Sequence, residues 1–182
     1  MDYALALRSI FATDPVRLHV LSLVRSLQLP DCWVGAGFLR NAVWDHLHGR
    51  SAGPLSDVDV IWFDPARRDP SEDQELEARL KALDASLDWD VKNQSRMHLR
   101  NGDAPYASTE DALRYYPETA TAVAVRQTMH GDLEFAAPFG FDDLFALVVR
   151  PTPRFHEKRP VYLERIQKKA WLNTWPLLRI EQ

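Results

Sequence analysis

Two carboxylates two residues apart, Asp57 and Asp59, head the run Val58-Asp59-Val60-Ile61-Trp62-Phe63. The β-branched and aromatic residues of that run predict a strand. Side chains of a strand alternate between its faces, so Asp57 and Asp59 share one face, about 6–7 Å apart, and Val58, Val60 and Trp62 share the other. Two carboxylates so placed repel each other, and a divalent cation converts the repulsion into a binding site. Hard oxygen ligands of this kind suit Mg²⁺ or Mn²⁺. The competing reading is a surface strand with two solvated acids. The apolar run from Val60 to Phe63 argues against it, because such a strand is buried beyond its first residues.

A second feature lies upstream. Cys32-Trp33-Val34 is a short apolar run that stops at Gly35-Ala36-Gly37, and Phe38 to Leu47 follows with helical spacing. Glycines between a strand and a helix let backbone approach a ligand, and the helix start offers unpaired N–H groups and a positive dipole end to an anion. A lone Gly-x-Gly is also an ordinary strand-to-helix turn. The dinucleotide fingerprint needs a third glycine where this chain has Arg40, and no Gly-Lys-Ser/Thr follows as a Walker loop requires. Any phosphate held by this turn is held in another scheme.

These residues need elements to position them. The N-terminal periodicity predicts a helix from Tyr3 to Phe11, a cap at Thr13-Asp14-Pro15 and a second helix ending before Pro30. After the central strand come a charged helix from Pro70 to Leu83 and a strand from Trp89 to Gln94. A helix start follows at Ser108-Thr109-Glu110-Asp111, then a hairpin of Val123–Met129 with Leu133–Ala137, a short helix over Phe141–Val148 and a last helix over Pro160–Leu172. The segment from Met97 to Tyr106 reads as a polar loop at the mouth of a cleft. The order predicts an α+β domain around a mixed β-sheet flanked by helices.

Bulk properties bound the function. A chain of 182 residues with 46% hydrophobic content builds its own core. We expect a single domain over residues 1–182, its core at about 31–150, with N-terminal helices and a basic C-terminal helical extension. The net charge of -4 argues against bulk electrostatic coating of nucleic acid. The charge is uneven: residues 56–90 hold 11 acids against 4 Lys/Arg, and residues 150–182 hold 8 Lys/Arg against 3 acids. The basic tail reads as a solvated surface, with a phosphate-facing patch as the minority reading. The single Cys32 excludes an internal disulfide and fits a reducing cytoplasm. No signal peptide and no membrane span are legible. The six histidines show no metal-ligand spacing, and Trp171 and Trp175 read as packing residues.

Taken together, Gly35-Ala36-Gly37-Phe38-Leu39-Arg40-Asn41, the stop at Gly49-Arg50 and the strand opening at Ser56-Asp57-Val58-Asp59 resemble the head of the DNA polymerase beta-like nucleotidyltransferase superfamily. The likeness is strongest to its small bacterial nucleotidyltransferase-like members. The segments from Trp89 to His98, Arg100 to Tyr106 and Tyr116 to Val123 extend it, so that it spans roughly residues 33–147. The resemblance implies a nucleotidyltransferase-type mixed sheet and a three-carboxylate site for Mg²⁺ or Mn²⁺. Asp57 and Asp59 are the first two acids. Asp90, between Trp89 and Val91, is the favoured third, with Asp88 and Glu134 as competitors. It further implies nucleotide binding by Gly35, Ala36 and Gly37, with Arg40, Lys92 and Arg96 as candidate phosphate or acceptor contacts. The expected activity moves NMP from an NTP to an acceptor hydroxyl on a small molecule, a protein or an RNA end. The alternatives are a nucleotide- and metal-binding module without turnover and an antitoxin-like regulatory partner. Two departures stand out. Ala36 replaces the usual Gly or Ser of the turn, and no second domain follows to hold a tRNA, which argues against CCA addition.

Overall fold

The computed structural model describes residues 2–55 and 57–182; Ser56, with which the central strand was expected to open, lies outside them. Helix α1 (Tyr3–Ala12) starts at Asp2, whose side chain accepts from Leu5 N at 3.0 Å. Helix α2 (Pro15–Ser26) starts at Asp14, which accepts from Arg17 N at 3.0 Å, with Pro15 in the first turn where its missing N–H costs nothing. Strand β1 (Trp33–Gly35), helix α3 (Gly37–Leu47), strand β2 (Asp57–Trp62), helix α4 (Pro70–Leu83) and strand β3 (Asp88–Asn93) follow in the expected order. Then come α5 (Met97–Asn101), α6 (Thr109–Leu113, capped by Ser108), the hairpin β4 (Ala124–Gln127) with β5 (Leu133–Ala136), and α7 (Asp142–Phe145). The chain ends with β6 (Val148–Val149), α8 (Pro153–Glu157), α9 (Arg159–Lys169), a 3-10 turn at Trp171–Asn173 and β7 (Arg179–Ile180).

Five strands form one sheet in the order β3-β2-β1-β4-β5. Only β2 and β3 run parallel, so the sheet is mixed. Alternation along β2 and β3 divides the molecule. Val58, Val60, Trp62, Trp89 and Val91 enter a core with Leu7, Phe11, Val20, Phe38, Leu39 and Leu80 from the first four helices. The same core takes in Trp171, Trp175 and Leu178 from the C-terminal segment. On the opposite face a smaller cluster of Trp33, Ile61, Leu113 and three alanines leaves room beside Asp57 and Asp59. Among the described residues, no helix is long and apolar enough to cross a membrane.

Three local expectations change. The stretch from Met97 is not all loop: Asn93 caps a 3-10 turn at Gln94–Arg96, which runs into α5 and stops at Gly102 with φ +66°. The last helix ends at Lys169 rather than Leu172, because Ala170 turns left-handed at φ 46°. The pair β6–β7 forms a second, two-stranded sheet that no local pattern announces.

Candidate active site

Parallel pairing aligns Asp57 with Asp88, Asp59 with Asp90 and Ile61 with Lys92. Paired residues of neighbouring strands point to the same side. Asp57, Asp59, Asp88 and Asp90 therefore stand on one face, opposite the helical core. On the other flank β1 pairs Val34 with Val60, and one step along that register Gly35 lies alongside Asp59. A Cβ on Gly35 would come to 3.0 Å from Ile61 Cδ1, so a larger residue there would have to push the Ile61 side chain aside.

The turn after Gly35 is built by Ala36, at φ 52° and ψ -122°, a conformation that favours glycine. Its N–H donates to Val123 O at 2.9 Å, and helix α3 begins without a side-chain cap. The first-turn N–H groups of α3 thus lack a capping side chain at the same place where Ala36 and Gly37 line a cleft of about 860 Å³. Asp57 and Asp59 line this cleft too.

Arg40, one turn into α3, is only 5% exposed. Its hydrogen-bond partners are neutral: Nη1 donates to Thr121 Oγ1 at 2.8 Å, Nη2 and Nε to Asn41 Oδ1 at 2.9 and 3.2 Å. The guanidinium lies beside the rings of both Trp44 and Trp171, 4.8 and 4.5 Å from their centroids. Burial lowers its pKa to about 10, opposed by the charges of Glu118, Asp59 and Asp57. Burial also raises the Asp59 carboxyl to about 6, joined by the charges of Asp57 and Asp90 and resisted by Arg40 and Lys169. Tyr116, on the cleft wall, has its hydroxyl pushed above the ordinary phenol range by burial and by Asp59.

The remaining candidates part company. Asp90 faces the acids across the strand pair, and its carboxylate is bonded by Lys92 Nζ. Lys92 thus stands on the acidic face as an ion-pair partner. Arg96 does not reach the cleft. It pairs with Asp73 of α4, which also accepts from Trp62 Nε1 at 2.9 Å and from Asn93 N at 3.1 Å on the core side of the sheet. Arg96, expected as a phosphate or acceptor contact, is thus placed as an ion-pair partner of Asp73 and is not among the residues that line the cleft. Glu134 lies on the far edge strand, paired with Arg126. Among the described residues no three His, Cys, Asp or Glu side chains form a ready-made metal cage. The carboxylate pair Asp57 and Asp59, with Asp90 aligned beside it, is nevertheless a hard-oxygen donor set. Its crowded negative charge, seen in the raised Asp59 carboxyl, is of the kind a divalent cation relieves.

The basic tail is where sequence reasoning fell short. Lys158, Arg165 and Lys169 do not merely coat the surface; they line the cleft opposite the acids. Arg165 and Lys169 lie four residues apart on one face of α9, and Lys158 immediately precedes that helix, a signal the net count of charges concealed. Trp171 and Trp175 are packing residues, edge-on to Trp44 at 5.4 and 5.1 Å, yet Trp171 also walls the cleft. Asn101 and Asp103 of the predicted mouth segment line it as well. Asp103 is tied down by Tyr106 and Arg154, both at 2.8 Å. Cys32 lies away from the cleft, its thiol pushed up to about 12 by burial, which suits an inert side chain.

A family model described as nucleotidyltransferase matches residues 22–180. A solved NMR structure, described as revealing a CCA-adding enzyme head domain, is 35% identical, covers 97% of this chain and 94% of its own, and has a TM-score of 0.87. The CCA-adding enzyme of Thermotoga maritima complexed with tRNA is 16% identical, with 92% of this chain matched to 39% of that one at a TM-score of 0.57. A CCA-adding enzyme complexed with CTP is likewise 16% identical, with 92% of this chain matched to 40% of that one at a TM-score of 0.57. At that identity the two long enzymes share the fold, and this chain spans about two fifths of their length. No curated protein matches the chain.

Proposed function

This chain belongs to the nucleotidyltransferase family, and from that premise we propose that it moves a nucleoside monophosphate from an NTP to an acceptor hydroxyl in a reaction dependent on Mg²⁺ or Mn²⁺. One observation carries the reading: the β2–β3 register gathers Asp57, Asp59 and Asp90 on one face, beside an uncapped helix start and the buried Arg40. In this reading Asp57 and Asp59 hold the cation, with Asp90 joining once Lys92 lets it go. A cation held there supplies charge neutralisation of the triphosphate and of the departing pyrophosphate.

The chain's own groups do the rest. The first-turn N–H groups of α3, from Gly37 onward, donate to phosphate oxygens, and Gly37 keeps the approach open. Arg40, with only neutral partners inside the fold, supplies fixed positive charge to the phosphates. The acceptor oxygen forms its bond to the α-phosphorus as the bond to the α,β-bridging oxygen breaks. Pyrophosphate leaves with that electron pair, and the hydroxyl proton passes to a carboxylate, assigned to Asp90. CCA-adding enzymes of this fold are solved with CTP, with ATP and with tRNA. We carry over the nucleoside triphosphate as donor and leave the acceptor as any hydroxyl-bearing small molecule, protein or RNA end.

Calorimetric titration with Mg²⁺ and each NTP, beside an Asp57→Ala, Asp59→Ala double variant, tests the reading. Metal-dependent NTP binding that the double variant loses is the expected result. A folded wild-type protein that binds no NTP with either cation overturns it and points to the protein-partner role.

A further inference from the structure

The C-terminal helix brings its own charge to the cleft. Lys158, just before it, and Arg165 and Lys169 line the cleft, but they are not equivalent. Lys158 is occupied: its Nζ donates to Asn101 O at 3.0 Å and lies 3.6 Å from Asp103. Arg165 is held by a single bond, from Nε to Glu118 Oε1 at 2.7 Å. A guanidinium carries five N–H donors, so most of this one remains uncommitted among the described residues. Glu118 is wholly buried, and its second oxygen finds no hydrogen-bond partner among the described residues. The buried carboxylate anchors this guanidinium through one nitrogen and leaves its remaining donors able to take an anion. Lys169 has no ion-pair partner among the described residues and lines the same cleft as Asp59. Arg165 and Arg40 flank the same ring, Trp171, at 5.7 and 4.5 Å. Three cations therefore converge beside the acid pair and the Ala36–Gly37 turn.

We infer that α9 is the polyphosphate wall of this nucleotidyltransferase: Arg165 and Lys169 hold the β- and γ-phosphates, the part that departs as pyrophosphate, and the buried Glu118 is the positioning residue that aims Arg165. The inference rests on the nucleotidyl-transfer reading above. The convergence beside the acids favours the donor's phosphates over the backbone of a nucleic-acid acceptor, which would track away from the reacting phosphorus.

The test uses the full chain, with Mg²⁺ present, titrated with inorganic tripolyphosphate, with ATP, with AMP and with a short oligoribonucleotide. Arg165→Met and Lys169→Met should each weaken tripolyphosphate and ATP by about tenfold, the equivalent of one charge-assisted hydrogen bond, and leave AMP unchanged. Lys168→Met is the control: that side chain is 80% exposed and paired with Glu164, and its effect should stay below about twofold. Glu118→Gln keeps an oxygen for Arg165 and should stay within about threefold, while Glu118→Ala should match Arg165→Met. Thermal unfolding confirms that each variant is folded, and the exposed Lys169 keeps the test open if the buried Glu118 variants are not. Equal losses at Lys168 and Lys169 overturn the inference. So does a loss confined to the oligoribonucleotide, which would assign the wall to an acceptor. Metal-dependent ATP binding that survives in both Arg165→Met and Lys169→Met overturns the inference and leaves nucleotidyl transfer standing. A wild type that binds neither tripolyphosphate nor ATP overturns both.

Discussion

Asp59 is the residue on which the local electrostatics converge. Its carboxyl titrates near 6 in the folded chain against an ordinary 3.8. Between those values the native state holds a proton the unfolded chain has lost, so stability falls as pH rises through that window. At neutral pH the ionised Asp59 is a cost, one that the proposed cation would offset. Asp59→Asn removes the cost. The metal-free variant should melt a few degrees above wild type at pH 7.5, on the order of 1–2 kcal/mol after allowance for solvent, and the two curves should converge near pH 4. Melting curves across pH 4–8 check this; a variant that melts no higher than wild type at pH 7.5 would sink the account. The alternation of Asp57 and Asp59 was legible in the sequence because a strand's period is local. The shift in Asp59 was not, because it comes first from burial in the tertiary fold, then from Asp57 and from Asp90 on the neighbouring strand, and is held in check by Arg40 and Lys169 from two helices.

At the scale of elements, the strand pair β2–β3 is held from behind by α4. Asp73, almost wholly buried, accepts from Trp62 at the end of β2, from the Asn93 backbone at the end of β3 and from Arg96 beyond it. This one carboxylate ties together the ends of the two strands whose register sets Asp59 beside Asp90. Asp73→Ala strands a partly buried guanidinium and two buried N–H donors, at a cost of about 3–5 kcal/mol. We expect a large drop in the urea midpoint, with ATP affinity within about twofold of wild type for whatever remains folded. A stability loss under about 1 kcal/mol would show that the register is held elsewhere. The sequence offered Arg96 as a candidate phosphate or acceptor contact. It could not reveal that the chain turns through Asn93 and carries Arg96 to the core side of the sheet. The five-residue α5 was equally hidden, being too short for a hydrophobic period to register.

At the scale of the molecule, the C-terminal segment closes over α3 and completes the cleft. Trp175 packs edge-on to Trp44, and its Nε1 donates to Asp45 Oδ1 at 2.9 Å. Trp175→Ala should cost about 3–5 kcal/mol, and hydrogen exchange should show protection lost over α9 before it is lost over α2. Uniform loss over both helices would mean that the segment is no separate wall but part of one cooperative unit. The sequence by itself determined the element order, the acid pair on a buried-backed strand, the close turn before α3 and the family likeness these carry. All are properties of short stretches, governed by the periods of strand and helix and by the chemistry of turns. Tertiary structure alone decided which acid stands beside Asp59, which cations face the acids and which merely hold the fold. Those answers depend on the β2–β3 register and on how α9 docks, and both are fixed by packing between residues far apart in the chain.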